Sequence, residues 1–368
     1  MDTDAAVRDR YGKAAQQREE ALCCPVDYDA TYLAAIPKEV IDRDYGCGDP
    51  SKHVLPGETV LDLGSGGGKI CFIASQVVGA EGTVIGVDMN DDMLKLARDS
   101  APVVAETTGF DNVHFCKGKI QDLAIDRDAV DRFLRDNPVS NEESLRDLEA
   151  FLNQMRSEQP MIADETIDVV VSNCVLNLVA AEEKPILFEE LFRVLKLGGR
   201  AVISDIVSDQ EVPLELQQDA ELWSGCLSGA LTLSDFLQAF EDAGLEDIRL
   251  LSVQSEPWQT VEGIEFRSVT VQAFRPESDD ATNESGCCAG GERYVYSGPF
   301  KVVVDDAGIA YTRGEVCAEE QIAGANRASL RDQFAILSTQ PKVGQHCEVP
   351  ASPKALPMAG NCCDGGSC

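Results

Sequence analysis

The sequence is poor in basic residues and in histidine. Its 368 residues include 31 Lys and Arg against 64 Asp and Glu, for a formal net charge of −33, and three histidines. Because so acidic a protein repels polyanions, we expect neither nucleic acid nor an anionic membrane surface as a partner. His53 and His114 are isolated in the sequence, so we expect no tightly bound metal cofactor.

Long apolar runs are missing as well. No stretch approaches the about 18 consecutive apolar residues of a membrane-spanning helix, and the first residues contain no apolar segment of a secretory signal. We therefore expect a cytoplasmic protein. In that reducing compartment, the 14 cysteines of the chain indicate soft-ligand or redox chemistry rather than a disulfide framework.

The sequence does contain a strand, a glycine turn and a helix start between Glu58 and Lys69. The apolar run from Val60 to Leu63 predicts a buried parallel strand, and a helical pattern resumes at Ile70. Bare backbone followed by a helix N-terminus is typical of a nucleotide-binding element. The dinucleotide fingerprint would need a glycine where Lys69 stands.

Acidic residues near the glycines indicate which nucleotide binds. Asp62 precedes the first glycine by two positions, and a second apolar run ends at Asp88, where an acid can hold ribose hydroxyls. A carboxylate suits a donor that carries an ammonium and a sulfonium better than one with a pyrophosphate. The pattern resembles the S-adenosylmethionine pocket of class I methyltransferases, and the alternative is a generic strand-to-helix turn. The predicted pocket residues are Asp62, Gly64, Ser65, Gly66, Gly68 and Asp88.

Strand and helix patterns alternate along the chain, which predicts an α/β fold with a doubly wound, mostly parallel, Rossmann-like sheet. We expect the helix after the fourth strand to end at Gly198 and Gly199, and the fifth strand to run from Arg200 to Asp205. The predicted division of the chain is a helical arm at 1–44, a donor-binding domain at 45–210 with a helical insertion at about 124–163, a substrate-binding region at 211–275 that completes the sheet, and a linker with a small Cys-rich domain at 276–368.

Three cysteines are placed to meet at one edge of this sheet. Cys174 directly follows the fourth strand, while Cys47 and Cys226 lie in glycine-bracketed, flexible loops that could cover the same edge. We expect the glycines beside Cys47 to leave its thiol unobstructed. Converging thiols indicate a soft substrate such as trivalent arsenic, whose lone pair could accept a methyl group held in line with it. The alternative for each cysteine is a small buried apolar residue, which is the interpretation we give Cys71.

Over roughly residues 20–275, the chain resembles the arsenite S-adenosylmethionine methyltransferases. The matching runs are Tyr45-Gly-Cys-Gly48, the glycine loop as far as Cys71, Ser172-Asn-Cys-Val-Leu-Asn-Leu178 and Ser224-Gly-Cys-Leu-Ser-Gly-Ala-Leu231. The helical insertion and the run Pro257–Gly263 are similar to an arsenosugar-associated bacterial branch. The resemblance implies a class I methyltransferase fold with an arsenic-binding extension, acting in arsenic detoxification on thiol conjugates of arsenite or methylarsenite.

The resemblance also implies roles for individual residues. Cys47, Cys174 and Cys226 would be the thiolates that bind As(III), and either Cys23 or Cys24 would form a disulfide with Cys47 during turnover. Thioredoxin or glutathione would then reduce that disulfide. Where many relatives carry glutamate, this chain has Gln121, so its contact with adenine stays open. The implied donor contacts are Tyr45, Gly64, Gly66, Asp88, Met89, Ile120, Gln121 and Asn173.

Two other functions are compatible with the sequence. A methyltransferase acting on carbon or oxygen of a small molecule, such as a quinone, would share the glycine loop but would not depend on the cysteines. A thiol-rich protein that sequesters soft metals would use the cysteines but would not need to bind the donor.

Overall fold

In the computed structural model of the protein, the described residues are 3–16, 19, 26–278, 293–298, 302–304, 310–314, 316–318, 322 and 333–337. Their main sheet contains eight strands in the order β3-β2-β1-β4-β5-β8-β6, with β7 paired to β8. Strands β1 to β5 are parallel to one another, and β8 is antiparallel to β5, β6 and β7. The strands are β1 (Thr59–Leu63), β2 (Thr83–Asp88), β3 (Val113–Lys117), β4 (Ile167–Asn173), β5 (Leu195–Ser208), β6 (Glu246–Val253), β7 (Gln259–Val261) and β8 (Ile264–Phe274).

Helices cover both faces of this sheet, in agreement with the predicted α/β class. Many begin at a side-chain cap, as where Asn90 accepts hydrogen bonds from the amides of Asp92 and Met93. The α-helices of the described residues are α1 (Thr3–Ala14), α2 (Ala30–Leu33), α3 (Lys38–Asp42), α4 (Lys69–Val78), α5 (Asp91–Thr108), α6 (Arg127–Asp136), α7 (Glu142–Glu158), α8 (Lys184–Val194), α9 (Leu214–Gln217), α10 (Ala220–Ser224) and α11 (Leu233–Asp242). None of them is both long and apolar enough to span a bilayer.

The core lies on both sides of the central strands. Because side chains alternate along a strand, Val60 and Val171 face α4, whereas Leu61 and Val170 face the side covered by α8 and α11. All four are fully buried. This double burial gives the rigid parallel strands whose carboxyl ends carry the candidate site.

The start of β5 differs from the prediction. Helix α8 ends at Val194, and β5 begins at Leu195 rather than after the two glycines. Leu195 pairs with Ile167, and the register then shifts before Arg200 pairs with Val169. Gly198 has φ 72°, so the glycines allow a bulge inside the strand instead of ending the helix.

Beyond the main sheet, short strands form two smaller sheets, one of three strands ordered β12-β9-β13 and one pairing β10 with β11. Their buried aromatic residues form a separate cluster, although Val295 packs into the main core. The proposed division of the chain stays a prediction. The strands are β9 (Arg293–Tyr296), β10 (Val302–Val304), β11 (Ala310–Thr312), β12 (Val316–Ala318) and β13 (Phe334–Leu337).

Candidate functional site

A pocket with about 1020 Å³ of empty space, part of it open to solvent, lies at the carboxyl ends of β1, β2 and β4. Ligands of doubly wound sheets bind at this edge. Ten of the predicted donor contacts line the pocket, together with one of the three predicted arsenic ligands. These lining residues are Tyr45, Asp62, Gly64, Ser65, Gly66, Asp88, Met89, Ile120, Gln121, Asn173 and Cys174.

The glycine loop forms the floor of this pocket. Gly66 has φ 51°, and a side chain there would meet open space, while its amide donates to Asp88 Oδ2 at 2.8 Å. Gly68, which the sequence predicted as a pocket residue, does not line the pocket. It precedes α4 with φ 89°, and a Cβ atom there would lie 2.7 Å from the ring of Phe115. Its lack of a side chain therefore serves helix packing rather than ligand approach.

Two carboxyl groups face the pocket, that of Asp62 buried and that of Asp88 half-buried. Burial raises the pKa of Asp62 to about 7, and its Oδ2 accepts a hydrogen bond from the Cys71 thiol at 3.2 Å. Cys71 is fully buried, as predicted for a packing residue, yet it also orients Asp62. Burial likewise raises the pKa of Asp88, whose carboxylate accepts from the amides of Gly66 and Asn90, each at 2.8 Å.

The polar groups of the pocket fit S-adenosylmethionine. Among the described residues, the buried hydroxyl of Ser65 has no hydrogen-bond partner, so it can serve a polar group of a ligand. On the opposite wall, Gln121 Nε2 donates to Glu183 Oε2 at 2.9 Å. Sequence reasoning did not identify Glu183, because it lies 62 residues beyond its partner with no local motif to mark it.

Helix α1 covers the pocket, which the sequence did not predict. Its residues Val7, Arg8 and Tyr11 line the cavity, and Asn90 Nδ2 donates to the carbonyl of Arg8 at 3.2 Å. The ring of Tyr11 packs edge-on against that of Tyr45, with 6.1 Å between the ring centres. The donor pocket is therefore partly covered by a segment far from the glycine loop in sequence.

The three predicted arsenic ligands lie together beside this pocket. Cys47, Cys174 and Cys226 are buried free thiols, exposed by 6%, 5% and 3%, and they pack in one cluster. The loop around Cys47 thus does not leave its thiol unobstructed, contrary to the prediction. Apolar side chains surround the cluster, among them Ile206 and Phe266.

The close packing of the thiols affects their protonation. Hydrogen bonds to the thiols of Cys226 and Cys47, together with burial, raise the pKa of Cys174 well above its usual range, and burial raises that of Cys47. The Cys226 thiol donates to the Cys174 carbonyl at 3.0 Å. The thiols are close neighbours in the protonated form, while no three His, Cys, Asp or Glu side chains in the described part of the chain are already arranged as metal ligands.

Asn173, at the end of β4, holds the loop that carries Cys47. Its Oδ1 accepts from the amides of Cys47 at 2.9 Å and Gly48 at 3.0 Å, and its Nδ2 donates to the Gly48 carbonyl at 2.8 Å. A Cβ atom on Gly46 would lie 2.0 Å from the Asn173 amide. The glycines beside Cys47 therefore permit close packing onto β4, and Asn173 contacts both the donor pocket and the thiol loop.

Tyr28 and Lys69 support the same loop from behind. The Tyr28 hydroxyl donates to the Gly48 carbonyl at 3.0 Å, and Lys69 Nζ lies 3.6 Å from the centre of the Tyr28 ring. Lys69 also pairs with Asp44. The lysine that breaks the dinucleotide fingerprint thus joins the glycine loop to the segment preceding Cys47.

The remaining predicted site residues, Cys23 and Cys24, lie outside the described residues. Their role as redox partners stays a prediction.

Comparisons with known proteins match the chain to a methyltransferase domain and to arsenite methyltransferases. A methyltransferase domain family matches residues 55–159 and 157–244, and a domain of unknown function matches residues 283–354. An arsenite methyltransferase of Aquipseudomonas alcaligenes is 33% identical over 306 residues, covering 80% of this chain and 77% of that protein. An arsenite methyltransferase of Halobacterium salinarum is 34% identical over 262 residues, covering 69% of this chain and 56% of that protein.

A solved structure extends this likeness to three dimensions. The crystal structure of CrArsM, an arsenic (III) S-adenosylmethionine methyltransferase from Chlamydomonas reinhardtii, superposes with a TM-score of 0.55 at 25% identity. The match covers 86% of this chain and 97% of that one.

Proposed function

This chain belongs to the arsenite methyltransferase family, and we propose that it transfers methyl groups from S-adenosylmethionine to trivalent arsenic bound by its own thiols. One observation carries the proposal: Cys174 lines the donor pocket and also packs with Cys47 and Cys226 in one buried cluster. A quinone-type methyltransferase would need no such thiols, and a soft-metal store would need no donor pocket beside them.

The donor side of the site is formed by residues that suit each part of the ligand. S-adenosylmethionine supplies an electrophilic methyl group carried on a sulfonium sulfur. Asp62 would hold the donor's ammonium group, Asp88 its ribose hydroxyls, and the unpaired hydroxyl of Ser65 a further polar group. Ile120 and Gln121 would contact the adenine. The half-closed cavity under α1 would exclude water from the reacting groups.

The thiols would take arsenite from a thiol conjugate by exchange. Each step forms one bond between arsenic and a protein sulfur, breaks one bond between arsenic and a carrier sulfur, and passes the protein thiol's proton to the departing carrier thiolate. Arsenic remains trivalent throughout and keeps the lone pair that accepts the methyl group. Because Cys174 belongs to both halves of the site, positioning can supply much of the rate enhancement.

Methylation leaves arsenic pentavalent, so a further cycle requires two electrons. Oxidation of the thiols of Cys47 and either Cys23 or Cys24 to a disulfide would provide them, and thioredoxin or glutathione would then reduce that disulfide in the cytoplasm. This part of the proposal is supported by the resemblance of the sequence to the family.

The decisive experiment compares two cysteine variants of the full chain. Wild-type protein incubated with arsenite, glutathione and methyl-labelled donor should yield labelled methylarsenicals, and Cys174→Ser should yield none. Cys116→Ser is the matched control, since Cys116 lies on β3 outside the thiol cluster, and it should keep wild-type turnover. Chromatography with mass detection identifies and quantifies the methylarsenicals that each protein produces. Unchanged turnover in Cys174→Ser would contradict the proposed function.

A further inference from the structure

Two of the three clustered cysteines have an unusual backbone conformation. Cys174 has φ 63° and Cys226 has φ 61°, in the left-handed region that residues other than glycine seldom adopt. Such a conformation costs free energy and persists where surrounding contacts determine it, which occurs most often at functional sites. The contacts that fix these two cysteines relative to each other are therefore important for the site.

We propose that Asn177 is a positioning residue that holds Cys226 in register with Cys174 and so completes the three-thiol arsenic site; the proposal rests on the proposed function. The Asn177 side chain is 2% exposed. Its Nδ2 donates to the carbonyl of Ile206 at 2.7 Å and to that of Cys226 at 3.2 Å. One amide group thus joins the Cys226 loop to the interior of β5.

Main-chain packing reinforces this side-chain contact. A Cβ atom on Gly229 would lie 2.0 Å from the carbonyl oxygen of Asn177, so the backbone of the Cys226 loop rests directly on the backbone after Cys174. Trp223 Nε1 donates to the carbonyl of Leu178 at 3.3 Å. The segment that follows Cys174 and the loop that carries Cys226 are therefore packed directly against each other at Asn177 and Leu178.

The segment that carries Asn177 is itself anchored to the sheet. The amide of Cys174 donates to the Ser204 carbonyl at 2.7 Å, and the amide of Leu176 donates to Asp205 Oδ2 at 2.8 Å. Lys184 Nζ donates to the Leu176 carbonyl at 2.7 Å. Cys174 thus has a position set by β5, whereas Cys226 lies on a loop that Asn177 ties to it.

The proposed role separates arsenic binding from donor binding. Asn177 does not line the donor pocket, so removing its amide donor should leave the donor site intact. Without that donor, the buried Cys226 carbonyl loses its hydrogen bond and the loop is released. The site should then bind arsenic through Cys47 and Cys174 alone.

The first test uses Asn177→Asp, which keeps the shape of the side chain but replaces its donor with an acceptor. With 0.5 equivalents of arsenite, so that the tightest site fills first, X-ray absorption should give three sulfur ligands per arsenic in wild type and two in the variant. The KM for arsenite should rise at least about tenfold, the loss expected for one buried hydrogen bond, while affinity for S-adenosylhomocysteine stays within about twofold. Three sulfur ligands and an unchanged KM in the variant would overturn the proposal.

Gly229→Ala tests the same contact without a buried charge, so it covers the case in which the aspartate variant does not fold. Its added methyl group would push the Cys226 loop away from Asn177, and the same loss of the third sulfur ligand is expected. A general loss of stability would lower donor affinity as well, which calorimetry with S-adenosylhomocysteine would reveal. A Gly229→Ala protein that keeps three sulfur ligands would count against the proposal.

An arsenic-free measurement separates this inference from the proposed function. Dibromobimane links neighbouring thiols, and Cys174 faces the pocket through which it can enter. Mapping by mass spectrometry should find Cys174 linked to Cys226 in wild type. The rate of this linking should be at least about fivefold lower in Asn177→Asp, as expected for the loss of one hydrogen bond. Equal linking rates would overturn the role of Asn177 even if arsenite is methylated. If wild type binds no arsenite, the proposed function fails and the linking rates still decide on Asn177.

Discussion

A buried lysine and a buried aspartate stabilise the segment after Cys174, and their removal should destabilise the protein in a pH-dependent way. Lys184 is 6% exposed, and burial lowers its pKa to about 8. Burial raises the pKa of Asp205 to about 6, an effect that backbone hydrogen bonds and the charge of Lys184 oppose. At pH 7 both side chains are therefore largely charged, and both contact the peptide groups of Leu176.

The substitution Lys184→Met preserves the size of the side chain but removes its charge and its hydrogen bond. Loss of a charged donor to the buried Leu176 carbonyl should cost about 2 kcal/mol at pH 5 and at pH 7, where Lys184 is charged. Asp205 also loses its neighbouring cation, so its pKa rises above 6, and each unit of that rise costs about 1.4 kcal/mol once the carboxyl must ionise.

The sign of the pH dependence follows from the direction of these shifts. Because the pKa of Asp205 is higher in the folded state than its usual 3.8, protonation favours folding, and this stabilisation is lost as the pH rises through the folded pKa. The pKa of Lys184 is about 8 when folded, so it is charged in both states below pH 7 and contributes little pH dependence there. We expect Lys184→Met to cost about 2 kcal/mol at pH 5 and about 3 kcal/mol at pH 7.

Urea unfolding at both pH values, followed by tryptophan fluorescence, measures this difference. Trp223 reports on the region directly, since its indole donates to the Leu178 carbonyl. The double variant Lys184→Met with Asp205→Asn is the control, and its loss relative to Asp205→Asn should not depend on pH. An equal cost of Lys184→Met at pH 5 and pH 7 would refute the reasoning.

Two further predictions concern the donor pocket and its cover. The pKa of Asp62 is about 7, and a cationic ligand favours its ionised form, so S-adenosylhomocysteine should bind several-fold more tightly at pH 8 than at pH 6. Calorimetry should show a weaker pH dependence of binding in Asp62→Asn, and an identical pH dependence would contradict the assigned contact. Tyr11→Phe removes a hydroxyl that lies 3.7 Å from Cys226 Sγ but keeps the ring packed on Tyr45. Steady-state kinetics should show an arsenite KM raised about threefold with donor affinity unchanged. A loss of donor affinity would contradict the assignment of the Tyr11 hydroxyl to the arsenic site and of its ring to the donor pocket.

The donor half of the site could be predicted because it is encoded locally. Asp62, the glycine loop and Asp88 belong to one strand–turn–helix–strand unit, and the hydrogen bond between Gly66 and Asp88 joins residues 22 apart. The residue types alone predict the function of this unit, because a glycine turn combined with an acidic residue at the next strand end is typical of nucleotide binding. Gly68 is the exception, because the sequence alone does not distinguish a glycine needed for helix packing from a glycine that a ligand approaches.

The contacts that assemble the thiol half could not be predicted in this way. Asn173 binds the Cys47 loop across 126 residues, and Tyr11 meets Cys226 across 215. No periodicity or motif records such a pairing, because each partner satisfies the local rules of its own helix, strand or loop. The sequence therefore indicated which cysteines meet but not that they would be buried or what holds them together.

The two halves of the site are joined at β1 and β4, and this explains why one is rigid and the other requires support. Leu63 pairs with Ser172, whose hydroxyl donates to the Leu63 carbonyl at 2.9 Å. Immediately beyond that pair, Gly64 has φ 71°, and a Cβ atom there would lie 2.4 Å from the Val175 side chain. A side chain at 64 would thus strain the glycine loop and displace the residue after Cys174 at the same time.

The distance between the donor pocket and the Cys174 thiol is therefore set by the buried parallel strands β1 and β4. Buried parallel strands are among the stiffest parts of such a fold. The other two thiols reach the same point on loops, and each loop is held by an asparagine near Cys174: Asn173 for Cys47 and Asn177 for Cys226. Changes in the Cys47 or Cys226 loop can consequently alter how arsenic is held without moving the donor, whereas changes at the β1–β4 junction must alter both.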